Sequence, residues 1–363
     1  GQFYHMRVDN ELPYNVYGGL QDNGSWIGPS VARFKGGIRN LYWQRVSVGD
    51  GFDVVPDPQD NDYGYSMGQA GSLYRYHRPS GQLNLIKPTH PDGEYLRFNW
   101  NAGIAIDPFD DKTIYYGSQY VHKSSNHGQS WQIISPDLTT DDLGKQDFLE
   151  SGGLTYDVTG AENHTSIIAI APSPMEEGVL WVGTDDGNVQ LTRDGGENWS
   201  NLIGNIKGVP ANTWVTHISP SLHREGEAFV VFDDHRRNNW EPYVYRTRNY
   251  GKSWERIVGP DDVDGYTWTF AQSPTAEDLY FVGAEFGLFV SFDAGQTWNK
   301  WTSSYPEAVP TSDLVVHPRE HDLVIATFGR SFWILDDIRP LETMAEMGVD
   351  NVLAKAMHLF PVG

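Results

Sequence analysis

The chain has no cysteine in 363 residues, so no disulfide braces it and its core must come from burial alone, for which this length suffices. That absence leaves the compartment open. No apolar run approaches the roughly 20 residues of a membrane-spanning helix, which predicts a soluble chain that does not span a bilayer. Cations are scarce: 26 Lys and Arg stand against 48 Asp and Glu, a formal net charge of -22. Binding to nucleic-acid phosphates needs clustered Lys and Arg, so nucleic acid is set aside as a partner. The G-x-S-x-G nucleophile elbow and the G-x-x-x-x-G-K phosphate loop are both missing, which removes the chemistries they serve. The histidine in "FDDHRRNNW", residues 232–240, has no spaced second histidine for a zinc site. The start, "GQFYHMRVDN", shows neither an initiator Met nor a charged-then-apolar leader. With the equally abrupt "MHLFPVG" at the end, it reads as one part of a longer exported polypeptide.

Glycine, proline and aromatic residues are plentiful: 38 Gly, 21 Pro and 13% aromatic side chains punctuate short alternating runs, as in an all-β protein. One phrase recurs four times: "SSNHGQSW" ending at Trp131, "TRDGGENW" at Trp199, "TRNYGKSW" at Trp254 and "SFDAGQTW" at Trp298. Each has a hydroxyl residue two before an Asp or Asn, a Gly two after it and a Trp three further on. A second phrase precedes it, two alternating apolar strands around a Pro-containing turn, as in "GIAIDPFDDKTIYYGS" from Gly103 and "TFAQSPTAEDLYFVGAEFG" from Thr269. Counting divergent copies, units start near 4, 51, 103, 167, 214, 268 and 312, spaced by roughly 44 to 64 residues.

Four short strands per unit at that period predict a seven-bladed β-propeller over 1–340, with the Trp phrase turning the third strand into the fourth. Part of a larger ring, or of two stacked discs, is the competing layout. Asn126, Asp194, Asn249 and Asp293 are expected to fold back onto backbone N–H groups. The glycines supply positive φ, and Trp131, Trp199, Trp254 and Trp298 pack between blades, as parts of the fold and not of a ligand site. From Pro340 the apolar spacing turns helical, which predicts a short helix in 341–363 and either a closing strand over His358–Val362 or the start of a further domain.

The Trp phrases resemble the Asp-box, or bacterial neuraminidase repeat, Ser/Thr-x-Asp-x-Gly-x-Thr-Trp. The strings "GGLQDNGSW", "SNHGQSWQIISPDL" and "FGRSFWILDD" look most like large secreted bacterial proteins grouped with the sortilin propeller and often labelled glycosyl hydrolase. The resemblance covers about Tyr4 to Trp333. It implies a secreted, periplasmic or cell-surface module that handles glycans. The chain lacks the Arg-Ile-Pro phrase of sialidases and the cysteine-rich module of sortilin receptors, so neither function carries over directly. Asn at 126 and 249 in place of the box Asp marks the box carboxylate as a hydrogen-bond acceptor and not a catalyst.

Propeller ligands occupy the mouth of the central channel, on the face opposite the box turns. The turns and connections on that face hold acids, amides and aromatics, the mixture a sugar needs. Asp22, Asp50, Asp185, Asp234 and Glu285 are the acids from which a catalytic pair would come, and such a pair would make the chain a glycoside hydrolase. Sequence spacing does not say which two meet, and each acid is also an ordinary turn residue. Trp100, Asn101, His164, Trp214, Trp268 and Arg330 are the candidate ligand-binding residues. The alternative is a non-enzymatic, sortilin-like propeller that binds protein or peptide, or a cell-envelope scaffold. No cofactor is expected. Asp57, Asp60 and Asp62 in "DPQDNDYG" offer oxygens to Ca²⁺, but without the bidentate Glu of an EF-hand loop a solvated turn is favoured.

Overall fold

The computed structural model describes residues 1–146 and 163–360. Seven antiparallel sheets follow one another along the chain, six of four strands and a seventh of three, each strand pairing with the next in sequence. This is an all-β, seven-bladed propeller, as the repeat count implies. The innermost strands, numbered by blade from one to seven, are Phe3–Val8, Val54–Pro56, Ile104–Ile106, Ile167–Pro172, Trp214–Pro220, Thr267–Gln272 and Thr311–Val316.

The core lies between blades, because each sheet presents apolar side chains on both faces. Trp181, Val189 and Leu191 of blade four meet Val215, Phe232 and Tyr245 of blade five. The other face of blade five sets Phe229 and Val231 against Phe270 and Val282 of blade six, with the Phe229 and Phe270 rings stacked at 4.2 Å. Glycine near the end of a second strand lets the next inner strand come close. A Cβ at Gly183 would lie 2.4 Å from the Val215 side chain, so any larger residue pushes blade five outward.

Among the described residues the ring closes without a shared strand. Blade one meets blade seven through an apolar cluster, Phe3, Met6 and Val16 against Val324, Ala326 and Phe332, and through polar contacts: Asp313 accepts from the Met6 N–H at 3.0 Å and lies 3.3 Å from His5 Nδ1, and the Ser312 hydroxyl donates to the Phe3 carbonyl. Farther out, the Tyr14 hydroxyl donates to Asp322 and Arg319 donates to the carbonyls of Asn10 and Glu11. After the last strand, helices α1 (Arg339–Met347) and α2 (Val349–Leu353) follow. Helix α1 packs Leu341 and Ala345 on the apolar cluster of blades six and seven, and its Glu342 joins Ser273 to His321. Residues 354–360 form no strand. The rest of the expected closing strand, from 361, lies outside the described residues.

The four recurrent turns share one hydrogen-bond scheme. In blade four the Thr192 hydroxyl donates to Asp194, the Gly196 N–H donates back to that hydroxyl, and the Asn198 N–H donates to Asp194. Asn126, Asn249 and Asp293 repeat it with Ser130, Ser253 and Thr297, so amide and carboxylate serve equally as acceptors. These bonds hold the Asp194 carboxyl down to about 2, the Asn198 side chain contributing most. The glycines at 128, 196, 251 and 295 have φ of +74° to +106°. Each Trp ties its blade to the one before: Trp131, Trp199 and Trp298 donate to the carbonyls of Ile86, Ile134 and Ile257. Trp254 donates within its own turn, to Gly251, and packs edge-on against Trp181 instead.

Candidate binding site at the axial mouth

The site is built by a backbone irregularity. In five of the seven inner strands the register with the second strand slips by one residue near the strand's beginning: between Phe3 and Met6, Ile167 and Ala169, Val215 and His217, Thr267 and Thr269, and Thr311 and Asp313. A β-bulge re-aims the extra side chain. The extra residues are Tyr4 and His5, Ile168, Thr216, Trp268 and Ser312, and every one of them lines a cavity of about 390 Å³ at the axis. The unbulged blades two and three contribute through their lead-in segments, with Phe52 from one and Asn99, Trp100 and Asn101 from the other. Trp214, His217, His235, Arg236 and Phe328 complete the wall. A second cavity of about 380 Å³ shares His5, Ile168, Thr216 and His217 with the first and reaches down past Arg7 and Asp53.

Buried Asp233, the last residue of its strand, organises one side of the mouth. It accepts from Trp268 Nε1 at 3.2 Å, His235 Nδ1 at 2.7 Å and Arg236 Nη1 at 3.2 Å, all three on cavity-lining residues. Burial pushes its carboxyl up, but the His235 hydrogen bond and the charges of Arg236 and His235 outweigh that and hold it below the usual range. The Arg236 guanidinium lies 3.9 Å from the centre of the Trp214 ring, and His235 stacks on Tyr266 at 4.4 Å. On the opposite side, His5 sits between Asp313 and the Asn101 amide, 2.8 Å from its Nε2. Burial pulls the His5 imidazole down, yet the Asp313 carboxylate lifts it above its ordinary value. Trp100 Nε1 and Asn101 Oδ1 are buried with no hydrogen-bond partner among the described residues.

Of the expected ligand-binding residues, Trp100, Asn101, Trp214 and Trp268 lie on the cavity wall. His164 sits behind it, buried, with its ring 6.0 Å from that of Trp214. Arg330 is exposed in the turn that follows the wall residue Phe328. None of the five acids lines the cavity. Asp185 is wholly buried and accepts from Ser166 N–H and hydroxyl and from Asn99 Nδ2, and burial raises its carboxyl. Asp50 accepts from the Asp22 N–H and from Gln69, while Asp22 is an exposed turn residue with φ of +60°. Asp234 accepts from Arg237 and Asn239. Glu285 is half-buried, its carboxyl raised by burial against the pull of nearby His235.

Sequence reasoning missed the bulged Tyr4, His5, Ile168 and Thr216, because a bulge leaves no mark in one sequence. It also chose Asp234 over Asp233. Counting alternate residues back from the paired Trp214 would have favoured Asp233, which is Trp214's cross-strand partner. Among Asp57, Asp60 and Asp62, Asp57 turns toward Arg75 and His127, and Asp60 accepts from the Asp62 N–H. No group of three or more potential metal ligands occurs among the described residues, and no helix there is long and apolar enough to cross a membrane.

Comparison with known proteins adds three findings. Residues 242–337, from the third strand of blade five to the end of blade seven, match the Sortilin-Vps10 family (sortilin, neurotensin receptor 3). An oligoxyloglucan-reducing end-specific xyloglucanase from Emericella nidulans is 30% identical over 228 residues, 57% of this chain and 24% of that protein. The GH74 xyloglucanase from Xanthomonas campestris superposes with a TM-score of 0.67, and a GH74 enzyme from Niastella koreensis with 0.62. Each is 14% identical and covers 93% of this chain and 52% of the other. This chain thus spans about half of those structures and a quarter of the curated relative. It is a seven-bladed propeller whose residues 242–337 resemble the sortilin family and whose fold is similar to that of GH74 propellers.

Proposed function

We propose that the propeller handles glycans at its axial mouth, as a module of a secreted bacterial protein. Sugar rings rest on the indoles of Trp100, Trp214 and Trp268, and their hydroxyls bond to Asn99, Asn101, Ser312 and Arg236. The carrying observation is that three indoles from three blades meet at one cavity alongside amides and a guanidinium. Aromatic faces take the C–H surface of a sugar and planar polar groups take its hydroxyls. The xyloglucanase relatives make xyloglucan oligosaccharides the first ligands to try.

Hydrolysis is the finer reading. It requires two carboxyl groups across the bond, roughly 5 to 5.5 Å apart for retention or 6.5 to 9.5 Å for inversion. Of the five candidates Asp22, Asp50, Asp185, Asp234 and Glu285, burial raises the carboxyls of Asp185 and Glu285, and of these two only Glu285 has a carboxyl that accepts no hydrogen bond among the described residues, which suits it best to the role of proton donor. The engaged state of the other buried acids favours binding over cleavage within this chain.

Calorimetric titration with xyloglucan oligosaccharides, a glycan array and a reducing-end release assay test both levels. Saturable binding is expected, weakened at least tenfold by Trp268→Ala and by Asp233→Asn, with Glu285→Gln binding normally. Reducing ends released by the parent chain and not by Glu285→Gln would establish the hydrolase reading. If no glycan on the array binds, the proposal fails and a peptide-binding channel replaces it.

A further inference from the structure

Among the described residues the seventh blade has three strands and not four, and the edge this leaves has the makings of an interaction surface. In blades four, five and six the third strands, Val189–Thr192, Tyr243–Thr247 and Gly287–Ser291, are buried at every residue beneath a fourth strand. The third strand of blade seven, Phe332–Leu335, has no buried residue, and Trp333 is 37% exposed. Its inner side is fully engaged in antiparallel register with Leu323–Ala326. The Thr327 N–H bonds to the Ser331 carbonyl in this hairpin. Alternation from that bond turns the N–H and C=O of Phe332 and Ile334 outward. The strand reads "FWIL", without the Lys, Pro or charge that normally blunts a free edge. Helix α1, which follows, leaves for Ser273 and His321 and does not run along it.

Next to this edge lies the most basic stretch of an acidic chain. Residues 31–45, "VARFKGGIRNLYWQR", hold Arg33, Lys35, Arg39 and Arg45 and no acid. All four cations are exposed, and none is ion-paired among the described residues. The segment is anchored at the edge by Trp43, whose ring meets Phe332 at 5.8 Å. It exposes Phe34 at 65% and Leu41 at 74%. In a chain with a net charge of -22, four unpaired cations beside apolar side chains form a local field that attracts carboxylates.

We propose that the outer edge of blade seven docks an extended, acid-rich segment of a partner protein, which adds as the fourth strand. The outward groups of Phe332 and Ile334 supply the ladder. Phe332 and Ile334 on one face, and Trp333 and Leu335 on the other, receive alternate apolar side chains, while the 31–45 segment receives the acids. A second copy of this chain fits poorly, because edge-to-edge pairing would bring two basic segments together. The site is on the rim of the disc, separate from the axial cavity, so it stands or falls independently of glycan binding.

The test uses the whole chain and a fluorescein-labelled peptide of four Val-Glu repeats, followed by anisotropy. Saturable, salt-sensitive binding is expected. A Val-Lys peptide should bind at least tenfold more weakly, as should Val-Glu to the variant Arg33→Glu/Arg39→Glu/Arg45→Glu, whose changes lie on exposed side chains and should leave the circular dichroism spectrum unchanged. Methylating alternate peptide nitrogens should abolish binding in one register and spare it in the other. The proposal is overturned if Val-Glu does not bind, if both methylated peptides bind like the parent, or if charge reversal has no effect. It is also overturned if the chain dimerises through this edge in sedimentation.

Discussion

Blades five and seven are copies of one unit that the ring uses differently. Blade five is sealed on both faces by aromatic and branched side chains, covers its third strand with a fourth, and extends its Asp233 turn to hold Trp268, His235 and Arg236 at the mouth. Blade seven has three strands, leaves its third strand half open, and meets blade one through Asp313, Ser312 and Asp322. Apolar packing thus holds blade five on both faces, while at the seam between blades seven and one a buried apolar cluster, with Phe3, Met6 and Val16 against Val324 and Ala326, is joined by a set of hydrogen bonds. Buried apolar contacts tolerate little change of volume, whereas hydrogen bonds across a seam depend on each partner being present. The mouth draws on both regimes: Thr216 and Trp268 come from the tightly packed side, and His5 and Ser312 from the polar seam.

The contrast breaks most visibly under truncation. Trp181, wholly buried between blades four and five, should cost about 3–5 kcal/mol when changed to Ala, the range for large aromatic deletions in a core. Phe332→Ala, on the half-open strand of blade seven, should cost less than half as much. Urea unfolding of the two variants checks this, and equal losses would mean that the closing seam is as tightly packed as the rest. The polar seam has its own weak point. Asp313→Asn keeps the shape but replaces one of two accepting oxygens with a donor, so either Met6 N–H and His5, which meet Oδ2, or the Thr269 hydroxyl and Leu314 N–H, which meet Oδ1, lose their acceptor. About 1–3 kcal/mol should be lost, the cost of leaving buried donors short of a partner.

The fold was legible in the sequence and the site only in part, for reasons particular residues show. The four Trp phrases are local: hydroxyl, acceptor, Gly and Trp contact one another within eight residues, so their spacing specifies the turn. Seven such units at a regular period leave a propeller as the natural arrangement. The mouth is assembled from residues up to 308 positions apart, such as His5 and Asp313, and is aimed by bulges that no periodicity announces. Trp100, Trp214 and Trp268 were found because the connections entering the inner strands lie on the face opposite the box turns, where aromatic side chains suit a sugar. The acids were harder to rank, since Asp and Glu in turns serve the backbone as readily as a ligand; Asp185 and Asp234 illustrate that use. The open edge of blade seven left no mark in the sequence, since blades one and two also lack the Trp phrase and yet carry a fourth strand.

A smaller effect sharpens the role of the box turns, which blades three to six carry. In blade five the buried Thr247 hydroxyl bonds to Asn249 and accepts from the Gly251 N–H at 2.9 Å. Thr247→Val preserves volume and removes both bonds, so about 1 kcal/mol should be lost, within the usual net worth of such bonds. Asn249→Asp should change stability far less, because Asp194 and Asp293 already fill the same place in blades four and six. A melting series of the two variants distinguishes an acceptor's role from a charge's.

An effect that appears only as a slope with pH separates two histidines of the channel. His217, on the packed side, is pulled down to about 4, chiefly by burial, with His5 and Arg7 adding to it against Asp313. His5, on the polar seam, is raised by Asp313. A group depressed in the fold contributes stability that is fully present above its unfolded value near 6.5 and is lost as pH falls toward the folded value. A raised group contributes stability that is present below about 6.5 and is lost as pH rises through the folded value. Between pH 6.5 and 5, stability should therefore fall with acid through His217 and through the similarly buried His122, also near 4. Each contributes up to about 1.4 kcal/mol per pH unit. His217→Asn should remove roughly half of that slope, and His5→Asn should leave it intact while flattening the loss above pH 6.5. Urea midpoints measured from pH 5 to 8 decide the matter: an acid slope insensitive to His217→Asn would mean that this imidazole is solvated and protonates alike in the folded and unfolded chains.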